Sequence, residues 1–242
     1  MPDDIRIVYD ATRSRLNKVV WAPWFPMPTV VSHYRPVVAD IFMTDCDVGE
    51  MFLNFMLEPD LRPYAGADLT YFFSEDISAK DPVIRGWWKR MLMGFSPSTY
   101  LFTKDLMVVE QMIRGNRKSW RNIFGWKKVI LNLLDKNSYD PSMPWVYKVG
   151  LNSEIAADLH FYIDDGRPTA GTAKDNWIFT QRVCQILGYL GIQDACRKRT
   201  APSQESGERT GTSVDSSRGL ATMFVSVKKW LRSKERILRI IK

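Results

Sequence analysis

The run Tyr162-Ile163-Asp164-Asp165 sets two adjacent carboxylates at the end of an apolar strand, residues 158–163. Each ionised carboxylate resists leaving water and the two repel each other, so the strand must stop abruptly, at solvent or at a bound cation. The first outcome is a solvated turn ahead of Gly166 and Pro168. The second is a site. The dipeptide alone leaves both open.

A second acidic strand lies upstream, in residues 40–48. Asp45 and Asp47 are two apart there, and on a strand such residues share a face. One can bind metal while the other orients it or is solvated. Phe52 stands five positions beyond Asp47, in an apolar stretch that reads equally as plain core. Carboxylates from two strands suit phosphoryl transfer assisted by two divalent ions, one sharpening the attacking oxygen and one neutralising the leaving pyrophosphate. Magnesium takes hard oxygen ligands and completes its shell with water or phosphate, so two or three Asp side chains suffice. The chain offers few other ligands: its only histidines are His33 and His160.

Composition permits this chemistry without requiring it. With 242 residues, 45% of them hydrophobic, the chain is long enough for one substantial core or two small ones. A net charge of +7 favours an anionic partner. Cys46, Cys184 and Cys196 are odd in number and far apart, which argues against a disulfide framework and for a reducing compartment. No apolar run approaches membrane-spanning length and the start lacks a signal-peptide pattern. The expectation is therefore an intracellular protein, in cytoplasm or nucleus, with no membrane partner.

Local patterns predict the elements. Residues 5–9 alternate like a half-buried strand that runs into a basic loop. Ser96 and Pro97 suit the start of a helix that ends where Gly115 supplies a left-handed stop. Residues 116–144 are basic and aromatic and read as an exposed loop or insertion before strand character resumes at Trp145. In that insertion Trp120, Phe124 and Trp126 suit either base stacking or a small core of their own. Thr172 and Asp175 have capping-box spacing, and Trp177, Cys184, Leu187 and Leu190 form the apolar stripe of the helix behind them, closed by Gly191. Residues 200–219, rich in Ser, Thr and Gly, read by composition as a flexible linker. From Val227, apolar Trp230, Leu231, Ile237, Leu238 and Ile241 trace a helical face opposite Lys228, Arg232, Arg236 and Arg239.

Taken in order, the segments from Asp47 through Phe52 to Leu57, Met93 to Ser98, Phe161 to Asp165 and Leu187 to Arg199 resemble the successive polymerase motifs of reverse transcriptases of retroviral and retrotransposon type. Residues 6–18 are similar to the family's basic fingers strand. The resemblance implies an α+β polymerase palm, an antiparallel sheet backed by helices, with partial fingers and the start of a thumb. Residues 1–44 would be partial fingers and a crossing segment, 45–199 the palm with a basic insertion at about 115–144, and 200–242 a primer-grip-like hairpin and first thumb helix. On the same resemblance the chain is truncated at both ends.

The implied activity is RNA-directed DNA polymerisation by a retroelement enzyme, adding deoxynucleoside triphosphates to a primer on an RNA or DNA template. Asp47, Asp164 and Asp165 would hold two magnesium ions, which manganese could replace, and the position of Phe52 selects Asp47 over Asp45. Phe52 would reject the ribose 2′-hydroxyl, Gly94 would lie against the incoming nucleotide, Tyr162 would pack near the primer end and Arg6 would grip the triphosphate. Lys198 is the match for a basic residue that protonates pyrophosphate, in a run it shares with Arg197 and Arg199. Met93 and the shortened Gly94-to-Pro97 segment depart from the family pattern, which weakens the base-positioning assignment. Two other classes compete: a catalytically inactive relic that binds nucleic acid non-specifically, and an RNA-dependent RNA polymerase palm, which Phe52 disfavours.

Overall fold

Proline has no N–H to give a strand partner, and Pro168 shapes the sheet of this protein for that reason. The computed structural model describes residues 8–27, 29, 34, 37–70, 85–205, 207 and 212–241; Arg6 and most of the strand expected at residues 5–9 lie outside them. Contacts divide the chain into two compact units, residues 1–26 with 50–106 and residues 27–49 with 107–242.

The second unit carries the main sheet. Strands β1 (Phe42–Met43) and β2 (Cys46–Asp47) both pair antiparallel with β8 (Asp165–Ala170), whose other edge pairs with β7 (Asp158–Tyr162). The partners Phe42↔Ala170, Met43↔Thr169, Cys46↔Gly166 and Asp47↔Asp165 follow one unbroken register. Thus β1 and β2 are a single strand with a gap. At the gap Thr44 N–H donates to Pro168 O at 3.0 Å, but proline returns no bond, and the ladder lapses for that step.

Alternation then sorts the side chains. One face bears Phe42, Thr44, Cys46, Leu159, Phe161, Gly166, Pro168 and Ala170, and it is backed by helix α3 (Ala173–Tyr189). Thr172 caps that helix as its spacing predicts, its hydroxyl accepting from Asp175 N–H at 3.1 Å. Its buried face is Asn176, Phe179, Thr180, Val183 and Leu187; of the expected stripe Leu187 is buried and Cys184 half-buried, while Trp177 is 42% exposed and Leu190 37%. The reason is polar: buried Asn176 donates to Phe42 O at 3.1 Å and Pro168 O at 2.9 Å and accepts from the Thr44 hydroxyl, locking helix to sheet at the gap. Helix α2 (Ser96–Arg114), ended by Gly115 at φ 63°, serves the outer edge of β7. Glu110 accepts from Phe161 N–H at 3.1 Å and Arg114 donates to Leu159 O, so the edge strand's free backbone groups are satisfied by side chains.

Two further strand pairs of this unit lie outside the main sheet. The basic insertion contains strand β5 (Trp126–Leu131), paired with β6 (Val146–Gly150). Its lysines hid it, because one face of this hairpin is exposed. Within the insertion Phe124 is buried against Phe179, Trp120 is 79% exposed, and the Trp126 ring is taken by Arg117 and Lys148, at 4.0 and 3.9 Å from its centroid. In the stretch that composition reads as a linker and the resemblance as a hairpin, Ser203 bridges to Met43, and β9 (Thr212–Asp215) pairs with β10 (Thr222–Val225). Helix α4 (Val227–Ile241) follows, with Trp230, Leu231, Ile237 and Leu238 exposed.

The first unit is built on a cluster of Ala11, Leu16, Leu57, Ala65, Leu92 and Phe95. It contains short helix α1 (Leu16–Val19), 3-10 turns at Met51–Asn54 and Pro59–Tyr64, and a hairpin of β3 (Gly66–Asp68) with β4 (Arg85–Trp87).

Candidate active site

The sheet face away from α3 carries the acidic residues. Asp47 lies opposite Asp165, which lies opposite Tyr162, so these three side chains form one row across three strands. Asp47 and Asp165 form a non-hydrogen-bonded antiparallel pair, the type that brings side chains closest. Like charges there are unfavourable unless a cation intervenes. Asp164 sits in the two-residue turn from β7 to β8, and its carbonyl accepts from Val48 N–H at 2.9 Å, tying the turn to the end of β2. Ile163 in the same turn has φ 56°, a conformation that a β-branched residue adopts only under constraint.

The electrostatics mark this row. Burial pushes the Asp164 carboxyl above its ordinary value, the nearby charges of Asp165 and Asp47 push it further, and a backbone hydrogen bond and Lys198 pull the other way. Lys198 Nζ donates to Asp47 Oδ2 at 2.8 Å. The segment that delivers it runs along the free edge of β2: Ala195 N–H donates to Asp47 O at 3.0 Å and Thr200 N–H to Asp45 O at 3.2 Å, and a 3-10 turn spans Cys196–Lys198. Arg199 is turned instead to Asp194. Lys198 is thus seated on Asp47.

Asp45 has a different employment. It is 2% exposed, and Arg167, itself fully buried, gives it two hydrogen bonds. Sequence reading left Asp45 and Asp47 apart only through Phe52; Arg167 supplies an independent reason, and no local pattern in the sequence pointed to that pairing.

Phe52 and Gly94 belong to the first unit. Phe52 opens the 3-10 turn's apolar side and meets Phe102 edge-on, 6.1 Å between centroids. Gly94 has φ 98°, and a Cβ there would stand 2.3 Å from Tyr9 O, so only glycine fits. Asn17 fixes the same loop, donating to Gly94 O and accepting from Ser96 N–H, each at 2.9 Å. Asn17 was missed as a supporting residue.

Among the described residues, no group of three or more His, Cys, Asp or Glu side chains is placed to hold a metal ion. The donor chemistry nevertheless fits a hard divalent cation: two strand carboxylates in register, a third with a raised pKa in the adjoining turn, and one ammonium already drawn to them. Among the described residues, no helix is long and apolar enough to cross a membrane.

No protein-family model matches the chain, and no curated protein matches it. Solved structures do. A foamy viral protease-reverse transcriptase, in its dRH form in complex with double-stranded DNA, aligns with a TM-score of 0.56 at 16% identity over 89% of this chain and 28% of that one. The foamy viral protease-reverse transcriptase in complex with double-stranded DNA aligns at 0.51 and 15% identity, over 83% of this chain and 30% of that one. The chain thus spans under a third of either neighbour and shares with them an α+β fold of helices and antiparallel sheets.

Proposed function

We propose that this protein is an RNA-directed DNA polymerase palm that adds deoxynucleotides to a primer. The observation that carries the reading is the register that sets Asp47 opposite Asp165, with Asp164 in the adjoining turn, on a fold shared with reverse transcriptases. Asp47, Asp164 and Asp165 would hold divalent cations, magnesium or manganese, which supply activation of the primer hydroxyl and charge neutralisation at the departing pyrophosphate.

The chain's own groups do the rest. In the transfer, the primer 3′-oxygen bonds to the α-phosphorus while the bond to pyrophosphate breaks. Lys198, held at Asp47, supplies positive charge and a proton to the leaving oxygen. Tyr162, in the same row, packs near the primer end. Phe52 excludes a 2′-hydroxyl and Gly94 keeps a backbone stretch narrow beside the nucleotide; Arg6 grips the triphosphate. Exposed Lys118, Arg121, Lys127 and Lys128 and the basic side chains of α4 attract template and primer phosphates without reading sequence.

The test is single-nucleotide extension of a primed RNA template with magnesium, comparing the wild type with Asp164→Asn. Incorporation by the wild type alone is expected. Equal extension by the variant would sink the assignment, and salt-sensitive binding without any synthesis would favour the inactive relic.

A further inference from the structure

The register that pairs Asp47 with Asp165 puts Asp45 opposite Arg167 one row behind. Arg167 Nε and Nη2 donate to Asp45 Oδ1 at 3.1 and 3.0 Å, and neither side chain reaches solvent beyond 3%. The other Asp45 oxygen accepts from Gly207 N–H at 3.2 Å, and Asp45 N–H donates to the Thr200 hydroxyl at 2.9 Å. On the far side the Tyr34 ring lies 4.8 Å from the Arg167 guanidinium, and the Tyr34 hydroxyl bonds to Thr212 at the start of β9. One ion pair therefore reaches the segment that leads into the β9–β10 hairpin at three points.

Stability does not explain such a pair. Two buried charges cost desolvation that their attraction barely offsets, and apolar residues of the same volume hold a core as well. What the pair adds is placement. Both Asp45 oxygens are engaged, so this carboxylate is withheld from the row of Asp47, and Thr200 and Gly207 are fixed to the sheet by directional bonds to Asp45.

We infer that Asp45 and Arg167 are positioning residues: their ion pair clamps the base of the β9–β10 hairpin over the acidic face and thereby sets where a primer end meets Asp47, Asp164 and Asp165. The last clause rests on the polymerase reading; the clamp does not.

The experiment uses the full chain as wild type, Arg167→Met and Asp45→Leu/Arg167→Met, read by amide hydrogen exchange and by single-nucleotide incorporation. In Arg167→Met, exchange in β9 accelerates on the order of 100-fold, as expected for a buried charge left unpaired, while α3 is unchanged. The double variant leaves no lone charge and recovers the wild-type midpoint of unfolding, yet its β9 amides stay fast, its turnover stays low and its nucleotide KM is unchanged. β9 amides at the wild-type rate in Arg167→Met, or slow again in the double variant, overturn the clamp. Should Arg167→Met fail to fold, the double variant decides alone. A wild type that binds nucleic acid but incorporates nothing removes the polymerase reading, and the exchange arm still decides the clamp.

Discussion

Gly166 is closely flanked by Cys46 and Phe161, and replacing it tests the packing beneath the acidic row. A Cβ at that position would stand 2.6 Å from Cys46 Sγ and 2.6 Å from Phe161 Cε1. The obstacles lie on the two flanking strands, with Cys46 1% and Phe161 7% exposed, so retreat from one presses on the other. Overpacking of a tight core costs roughly 1–3 kcal/mol, and two opposed contacts put Gly166→Ala at the upper end. Stiffening of the unfolded chain returns about 0.5 kcal/mol, which leaves a net loss of about 2.5 kcal/mol. With a urea slope of about 2 kcal/mol per molar, the unfolding midpoint falls by about 1 M. Cys46→Ala removes one obstacle, so the double variant should be more stable than the sum of the two single changes predicts. An unchanged midpoint for Gly166→Ala, or strict additivity, would refute the three-strand row of Cys46, Gly166 and Phe161.

Lys198→Met leaves the Asp47 carboxylate without its ammonium and should slow primer extension on the order of 100-fold with folding intact; extension at the wild-type rate would remove Lys198 from the reaction. Burial and the charges of Asp165 and Asp47 raise the Asp164 carboxyl, so its contribution to stability is present when it is protonated and lost as pH rises through the raised value. Asp164→Asn should therefore melt above the wild type at neutral pH and match it in acid, and magnesium should raise the melting temperature of the wild type but not of the variant; calorimetry across pH checks both. Burial pushes the Asp158 carboxyl up, but His160, Lys148 and Arg114 outweigh it and hold the group well below the usual carboxylate range. Its stabilisation is thus present above the unfolded carboxyl value of about 4 and lost as pH falls below it, so the stability gap between wild type and Asp158→Asn should shrink in acid unfolding series.

The parts of this molecule that sequence patterns revealed are those whose environment agrees with local preference. β7 alternates and ends in its acidic pair, α2 stops at Gly115, and Thr172 caps α3. β8 was illegible because Gly166 and Pro168 both argue against a central strand, yet each is explained by a partner distant in sequence. Gly166 makes room for Cys46 and Phe161, while Pro168 O receives both Thr44 N–H and Asn176, which offsets the bond that proline cannot return. The face of α3 was misread for a related reason. Asn176 and Thr180 point inward because their hydrogen bonds, to strand carbonyls and to Asn176 O, are made there, and a purely apolar count passes over them. By composition alone the stretch that holds β9 read as a linker, because its Ser and Thr side chains serve as anchors, Ser216 to Ile41 O and Thr212 with Tyr34; the hairpin reading came from motif order.

The acidic face becomes intelligible when its rows are taken together. At the rear, Asp158 is compensated by Arg114 and Lys148. In the middle, Asp45 is compensated by Arg167. At the turn end, Asp47, Asp164 and Asp165 come together, Lys198 is paired with Asp47, and the charges of Asp165 and Asp47 raise the Asp164 carboxyl. The acids of the two rows behind are thus held in ion pairs, while at the turn end the carboxylates crowd closely enough to raise Asp164. Crowded carboxylates of this kind attract a multivalent cation. The order of the motifs picks out the same three carboxylates, and the charge balance supplies a physical reason for them that does not depend on resemblance.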